Sequence, residues 1–100
     1  TVPPAPANVR VTAVRRGGNA RVTVDWMQAL TSNESGFVIQ WSTNPGFTTI
    51  AGTGTVGENV LQYNTGNVAR NTSFYFRVMA FNAAGQSVWT NASPFPITTP

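Results

Sequence analysis

Apolar and polar side chains alternate along most of this chain, and no stretch shows the repeat of an amphipathic helix. Val9 and Val11 share one face while Arg10 and Thr12 share the other. Val22, Val24 and Trp26 alternate with Arg21, Thr23 and Asp25. Phe37, Ile39 and Trp41 alternate with Val38, Gln40 and Ser42. A weaker strand is predicted to begin at Phe47, and another places Leu61, Tyr63 and Thr65 together. In "SFYFRVMAF", Phe74, Phe76, Val78 and Ala80 form one row, and Tyr75, Arg77, Met79 and Phe81 the other. A last strand runs through "SVWTN" towards Ile97.

Turn signals separate these runs. "GGN" follows the first strand and "TNPG" the third, while "QALTSNESG" is a polar loop. About seven short strands with a turn roughly every 8–12 residues predict an all-β antiparallel sandwich. Residues 1–7, "TVPPAPA", form a predicted Pro-rich linker to a domain at 8–99. Proline cannot donate to a sheet ladder and favours an extended chain. The far end, "SPFPITTP", has the same character. Both ends are expected to be semi-rigid connectors of one bead in a longer string.

Composition narrows the chemistry. The chain has no cysteine and no histidine, and only three acids: Asp25, Glu34 and Glu58. Disulfides, thiolate or His-ligated metal sites and imidazole catalysis therefore have no donors. The acids fall in separate segments, so a carboxylate pair is not expected. A hydroxyl nucleophile would have no visible base to activate it. The reading is no enzyme, no cofactor and no metal. No apolar run approaches the roughly 18 residues of a membrane helix.

The residues also resemble a known family. Trp26 ends the second strand, "GFVIQW" fills the third, Val68 precedes an aromatic at Phe74, and "FRVMAFNAAG" runs to Gly85. In that order they resemble a fibronectin type III domain of the kind found in bacterial secreted and cell-surface proteins. The resemblance implies a seven-stranded immunoglobulin-like sandwich of three- and four-stranded sheets, extracellular, linking or presenting other domains. Two positions depart from the family. Phe74 stands where a tyrosine hydroxyl usually closes the corner, a hydrogen bond of about 1 kcal/mol net. The loop "NAAGQS" has no Arg-Gly-Asp, so integrin binding through it is not implied.

The outward row is the main candidate surface. Tyr75, Arg77, Met79 and Phe81 point away from the core of a two-layer sandwich, and Trp89 lies on the next strand. Such a row is either a contact patch or a set of cross-strand pairs covering neighbours such as Val38 and Trp89. Arg77 also interrupts an otherwise aggregation-prone apolar segment. Four of six arginines, Arg10, Arg15, Arg16 and Arg21, collect near the first hairpin. Without interleaved aromatics, and with Asp25 on the same face, they are expected to be a solvated surface and not a nucleic-acid site. Asn33, Asn71 and Asn91 open glycosylation sequons, but ten asparagines in a chain one-fifth Ser/Thr give roughly two by chance. The expected partners are neighbouring domains of the same chain, and a polysaccharide or protein if the Tyr75 face is a recognition surface. The module alone is expected to be monomeric.

Overall fold

The computed structural model describes residues 3–27, 34–58, 60–93 and 95–100. Thr1 and Val2 of the expected linker, most of the polar loop after Met27, and Asn33 of the first sequon lie outside the described residues. The strands, in chain order, are β1 (Ala7–Arg16), β2 (Asn19–Met27), β3 (Gly36–Ser42), β4 (Gly52–Gly57), β5 (Gln62–Val68), β6 (Ser73–Asn82), β7 (Gly85–Gln86), β8 (Thr90–Asn91) and β9 (Ile97–Thr98). One sheet has the order β1-β2-β5 and the other β4-β3-β6-β7, with β8 and β9 also pairing to β6. Every ladder between them is antiparallel, as the alternation predicts.

The rows assigned inward form the core between the sheets. Val9, Val11, Val22, Val24, Trp26, Phe37, Ile39, Trp41, Phe74, Phe76, Val78 and Ala80 make one buried cluster. β-Branched and aromatic side chains suit this half-buried pleated surface. Trp26 meets Phe37 at 5.3 Å between ring centres, and Trp41 stacks on Phe76 at 5.6 Å. The Trp26 indole N–H is buried and has no hydrogen-bond acceptor among the described residues. Its large apolar surface outweighs that unmet donor.

Two strand boundaries differ from the sequence expectation, each for a physical reason. Phe47 does not start a strand, and β4 begins at Gly52. The Phe47 N–H closes a turn onto the Asn44 carbonyl at 3.0 Å, with φ of 53° at Phe47. The final strand is broken into two-residue pairings, β7, β8 and β9. Pro94 and Pro96 have no N–H to give to a continuous ladder.

Glycines in β4 make room for rings. A Cβ at Gly54 would overlap the phenol ring of Tyr63, and one at Gly52 would overlap the Trp41 indole. The rings therefore lie directly on the β4 backbone, which only glycine permits.

The corner before Phe74 has no tyrosine hydroxyl, and Thr99 ties it instead. Thr99 is 1% exposed, and its hydroxyl donates to the Ala69 carbonyl at 2.8 Å. The same oxygen accepts the Thr72 N–H at 3.0 Å, and the Thr99 N–H donates to the Thr72 carbonyl at 2.9 Å. Arg70 Nε adds a bond to the Pro100 carbonyl at 3.2 Å.

Register places the two ends of the chain apart. Ala7 pairs with Met27 at one end of β2, while Ala20, at the other end, pairs with Val68. The chain therefore enters beside Met27 and leaves beside the Ala69–Thr72 corner. The molecule's longest dimension is 43 Å.

Candidate functional site

The outward row of β6 is covered. Met79 is 7% exposed and lies opposite Val38, while Tyr75, Arg77 and Phe81 are half-buried. The cover comes from two segments outside regular strands and one facing side chain, all directed at Arg77.

The first segment joins β3 to β4. Ser42 is fully buried, and its hydroxyl donates to the Thr49 carbonyl at 2.6 Å and accepts the Asn44 N–H at 2.9 Å. The Asn44 side chain accepts the Gly46 N–H at 2.7 Å. These bonds fold the "TNPG" turn and carry Phe47 back over the sheet. Arg77 Cζ then lies 4.0 Å from the centre of the Phe47 ring.

The second segment joins β7 to β8. Ser87 exchanges bonds with Ala80: its N–H donates to the Ala80 carbonyl at 2.8 Å and its hydroxyl accepts the Ala80 N–H at 2.9 Å. Val88 then turns outward, 76% exposed, and Trp89 turns over the sheet. The Trp89 ring centre is 4.1 Å from Arg77 Cζ. Two rings this close to one carbon cannot share a side, so the guanidinium is held between them. Each face of the guanidinium makes a cation–π contact.

Gln40, opposite Arg77 on β3, fixes the edge of the guanidinium. Arg77 Nε and Nη2 both donate to Gln40 Oε1, at 3.2 and 2.7 Å. Burial pushes the Arg77 pKa below its ordinary value, because it disfavours the charged form. The row continues through Phe95, which stacks with Phe47 at 6.4 Å and meets Tyr75 edge-on at 4.9 Å. Phe95 remains 37% exposed.

The structure thus brings Tyr75, Arg77 and Trp89 into one layer, with the buried Met79 and then Phe81 further along β6. Phe47, Gln40 and Phe95 complete the layer, and the sequence pattern did not mark them. The turn signal before Phe47 was the available clue, since a turn there folds the next side chain back over the sheet.

The arginines of the first hairpin are arranged differently. Arg10 stands opposite Asp25, and Arg21 opposite Val14. Arg10, Arg15 and Arg16 are exposed, with no aromatic ring stacked on them among the described residues. Arg10, Asp25, Asn8, Trp26 and Met27 line a shallow groove near the entering chain. Among the described residues, no group of three His, Cys, Asp or Glu side chains is placed to hold a metal ion.

Comparison with known proteins settles the family. The Fibronectin type III domain model matches residues 4–95. The chain belongs to the fibronectin type III family. Its backbone is similar to a myokine structure at a TM-score of 0.76 and 22% identity, covering 98% of each chain. It is also similar to a crystal structure of titin domains, at a TM-score of 0.75 and 22% identity, covering 98% of this chain and 32% of that one. The FN1–FN3 domains of chicken CNTN1 align at a TM-score of 0.75 and 19% identity, over 94% of this chain and 31% of theirs. At these identities the likeness is one of fold. No match is found among curated proteins. Fibronectin type III domains act as modules within multidomain chains and are generally non-catalytic. No helix among the described residues is long and apolar enough to cross a membrane.

Proposed function

We propose that this fibronectin type III domain is a spacer that links and presents neighbouring domains in a larger secreted or surface protein, of the bacterial kind its sequence resembles. The observation that carries this reading is the placement of the two chain ends at opposite ends of the β1-β2-β5 sheet, Ala7 beside Met27 and the Ile97 segment beside the corner that follows Val68. A unit built this way extends a chain instead of turning it back. The aromatic layer fits the same role, because Arg77 spends both faces and much of its edge on intramolecular partners.

A second reading has its own support. Phe95 is 37% exposed and Trp89 is half-buried, so ring surface remains at the rim of the Tyr75, Arg77, Met79 and Phe81 row. That rim would serve a protein or polysaccharide recognition module. Amide NMR spectra of the module alone and within its longer chain separate the two. A spacer shifts only near the Pro3–Pro6 and Ile97–Pro100 segments. Joint shifts at Tyr75, Arg77, Trp89 and Phe95 support recognition and sink the spacer reading.

A further inference from the structure

We infer that the outward face of the β1–β2 hairpin is a docking surface for an acidic protein segment, one that carries an apolar side chain between carboxylates. The inference begins with where the charges stand along the molecule.

The three acids collect at the end where the chain enters. Asp25 precedes Trp26, whose ring meets Phe37 at 5.3 Å. Glu34 lies just before β3, beside Ser35, whose N–H donates to the Phe81 carbonyl. Glu58 follows β4, whose Gly57 pairs with Gly36. Four of the six arginines stand towards the other end. Arg15 and Arg16 close β1, Arg21 lies near the start of β2, and Arg70 is in the corner beyond Val68. Along β2, Arg21 and Asp25 are separated by roughly 13 Å of extended strand. That exceeds the Debye length of roughly 8 Å at physiological salt, so the acid leaves the hairpin positive.

Two of these arginines share a face with an exposed apolar residue. Arg21 stands directly opposite Val14, and Arg16 is two residues beyond Val14 on β1. Opposed residues of an antiparallel ladder, and alternate residues of one strand, project to the same side of the sheet. Val14 is 46% exposed. Asn67, opposite Arg21 on β5, adds an exposed amide to this face. Among the described residues Arg16 and Arg21 have no hydrogen bond or ion pair, and Arg21 Nε is buried without an acceptor. Arg77 spends its donors and faces on Gln40, Phe47 and Trp89, whereas Arg16 and Arg21 keep donors to give.

These features select the occupant. A guanidinium is a planar fork that binds a carboxylate through two parallel hydrogen bonds, and every cation of the chain is an arginine. Sulfate and phosphate also match the charge, but a sulfated polysaccharide or a nucleic-acid backbone brings no apolar group to cover Val14. Nucleic acid further calls for rings on which bases stack, and none lies on Arg16 or Arg21 among the described residues. An acidic segment with an apolar residue between its carboxylates answers Arg16, Val14 and Arg21 together. The face lies on the sheet opposite the Tyr75 row, so the inference stands apart from both readings of that row.

The test is an amide NMR titration of this chain with a short peptide that holds one valine between pairs of glutamates. The amides of Val14, Arg16, Asn19, Arg21 and Asn67 are expected to shift together, with a dissociation constant of about 0.1–1 mM at low salt. Replacing the glutamates by glutamine, or raising the salt to about 0.5 M, is expected to weaken binding at least tenfold. Arg16→Gln changes an exposed side chain and is expected to weaken binding severalfold with an unchanged melting temperature. Val14→Thr keeps the β-branched shape and is expected to weaken the peptide severalfold while leaving dextran sulfate unaffected. Three results overturn the proposal: no saturable shift up to about 2 mM peptide, shifts that map to another face, or peptide affinity untouched by Arg16→Gln and Val14→Thr. So does tighter binding of dextran sulfate or oligothymidylate to these amides, which assigns the face to a glycan or a nucleic acid. Shifts of the same amides on concentrating the chain alone would assign it to a second copy and overturn it too.

Discussion

The Arg77 guanidinium carbon sits 4.0 Å from the centre of the Phe47 ring, and the ring is held there by a backbone that phenylalanine seldom adopts. Phe47 has φ of 53°, a left-handed conformation that costs a residue with a Cβ roughly 1–2 kcal/mol. Turn bonds from Ser42 and Asn44, together with the ring contacts to Arg77 and Phe95, over-determine it. Phe47→Ala removes the ring and keeps the unfavourable φ, with an expected loss of about 1–2 kcal/mol. Phe47→Gly removes the ring but relaxes the backbone, so it should be about 1 kcal/mol more stable than the alanine variant. Urea unfolding of the two variants measures the difference. Equal stabilities would mean that φ at this position is not held once the ring is gone.

Arg77 should not tolerate lysine as a conservative change. Lysine keeps the charge but loses the planar group that fits between two rings and the two donors aimed at Gln40. Arg77→Lys is expected to cost about 1–2 kcal/mol by chemical denaturation. Arg77→Met keeps much of the packing volume, and it also removes the one charge in "FYFRVMAF". Its signature is faster aggregation on heating, read by light scattering, because an uncharged β-prone segment is exposed on unfolding. A lysine variant as stable as the parent would show that the sandwich between Phe47 and Trp89 adds nothing beyond charge.

Gly54 tests how closely the two sheets approach at their edge. A Cβ there would overlap Tyr63, so Gly54→Ala forces the phenol ring or the β4 backbone to move. Overpacking of this kind costs roughly 1–3 kcal/mol. Adding Tyr63→Leu should recover part of that loss, because the clash and the ring disappear together. A double-mutant cycle with strictly additive losses would place the strain elsewhere.

The sandwich was legible because its core obeys the simplest rule of a strand. Val22, Val24, Trp26, Phe37, Ile39, Phe76 and Val78 alternate, and all are buried. The outward row was legible as apolar, but its covering was not. Phe47 reaches Arg77, and Phe95 reaches Phe47 and Tyr75, from segments without a strand period, so alternation does not place them. A sequence pattern records which face a side chain leaves from, and not which loop later folds over it. The breaks in the last strand are a similar case. Pro94 and Pro96 mark where the ladder fails, while β7 and β8 are set by Ser87 bonding to Ala80.

Thr99 is the clearest instance of a structural residue that composition hides, since threonine near a chain end invites no attention. Its hydroxyl donates to Ala69 and accepts from Thr72, and its backbone adds bonds to Asn71 and Thr72. These contacts close the corner that the missing hydroxyl at Phe74 would leave loose. Thr99→Val keeps the shape and removes the hydroxyl, leaving the Ala69 carbonyl and the Thr72 N–H without that partner. The expected loss is about 1–3 kcal/mol, because buried backbone groups left unpaired cost more than an average bond contributes. Thr99→Ser retains the oxygen and should recover most of the difference. Amide hydrogen exchange gives the local reading: Thr72 should exchange faster in the valine variant, while Val78, in the core of β6, should follow only the global change in stability. If Thr72 keeps its protection in Thr99→Val, the corner is held by packing of the C-terminal segment and not by the hydroxyl.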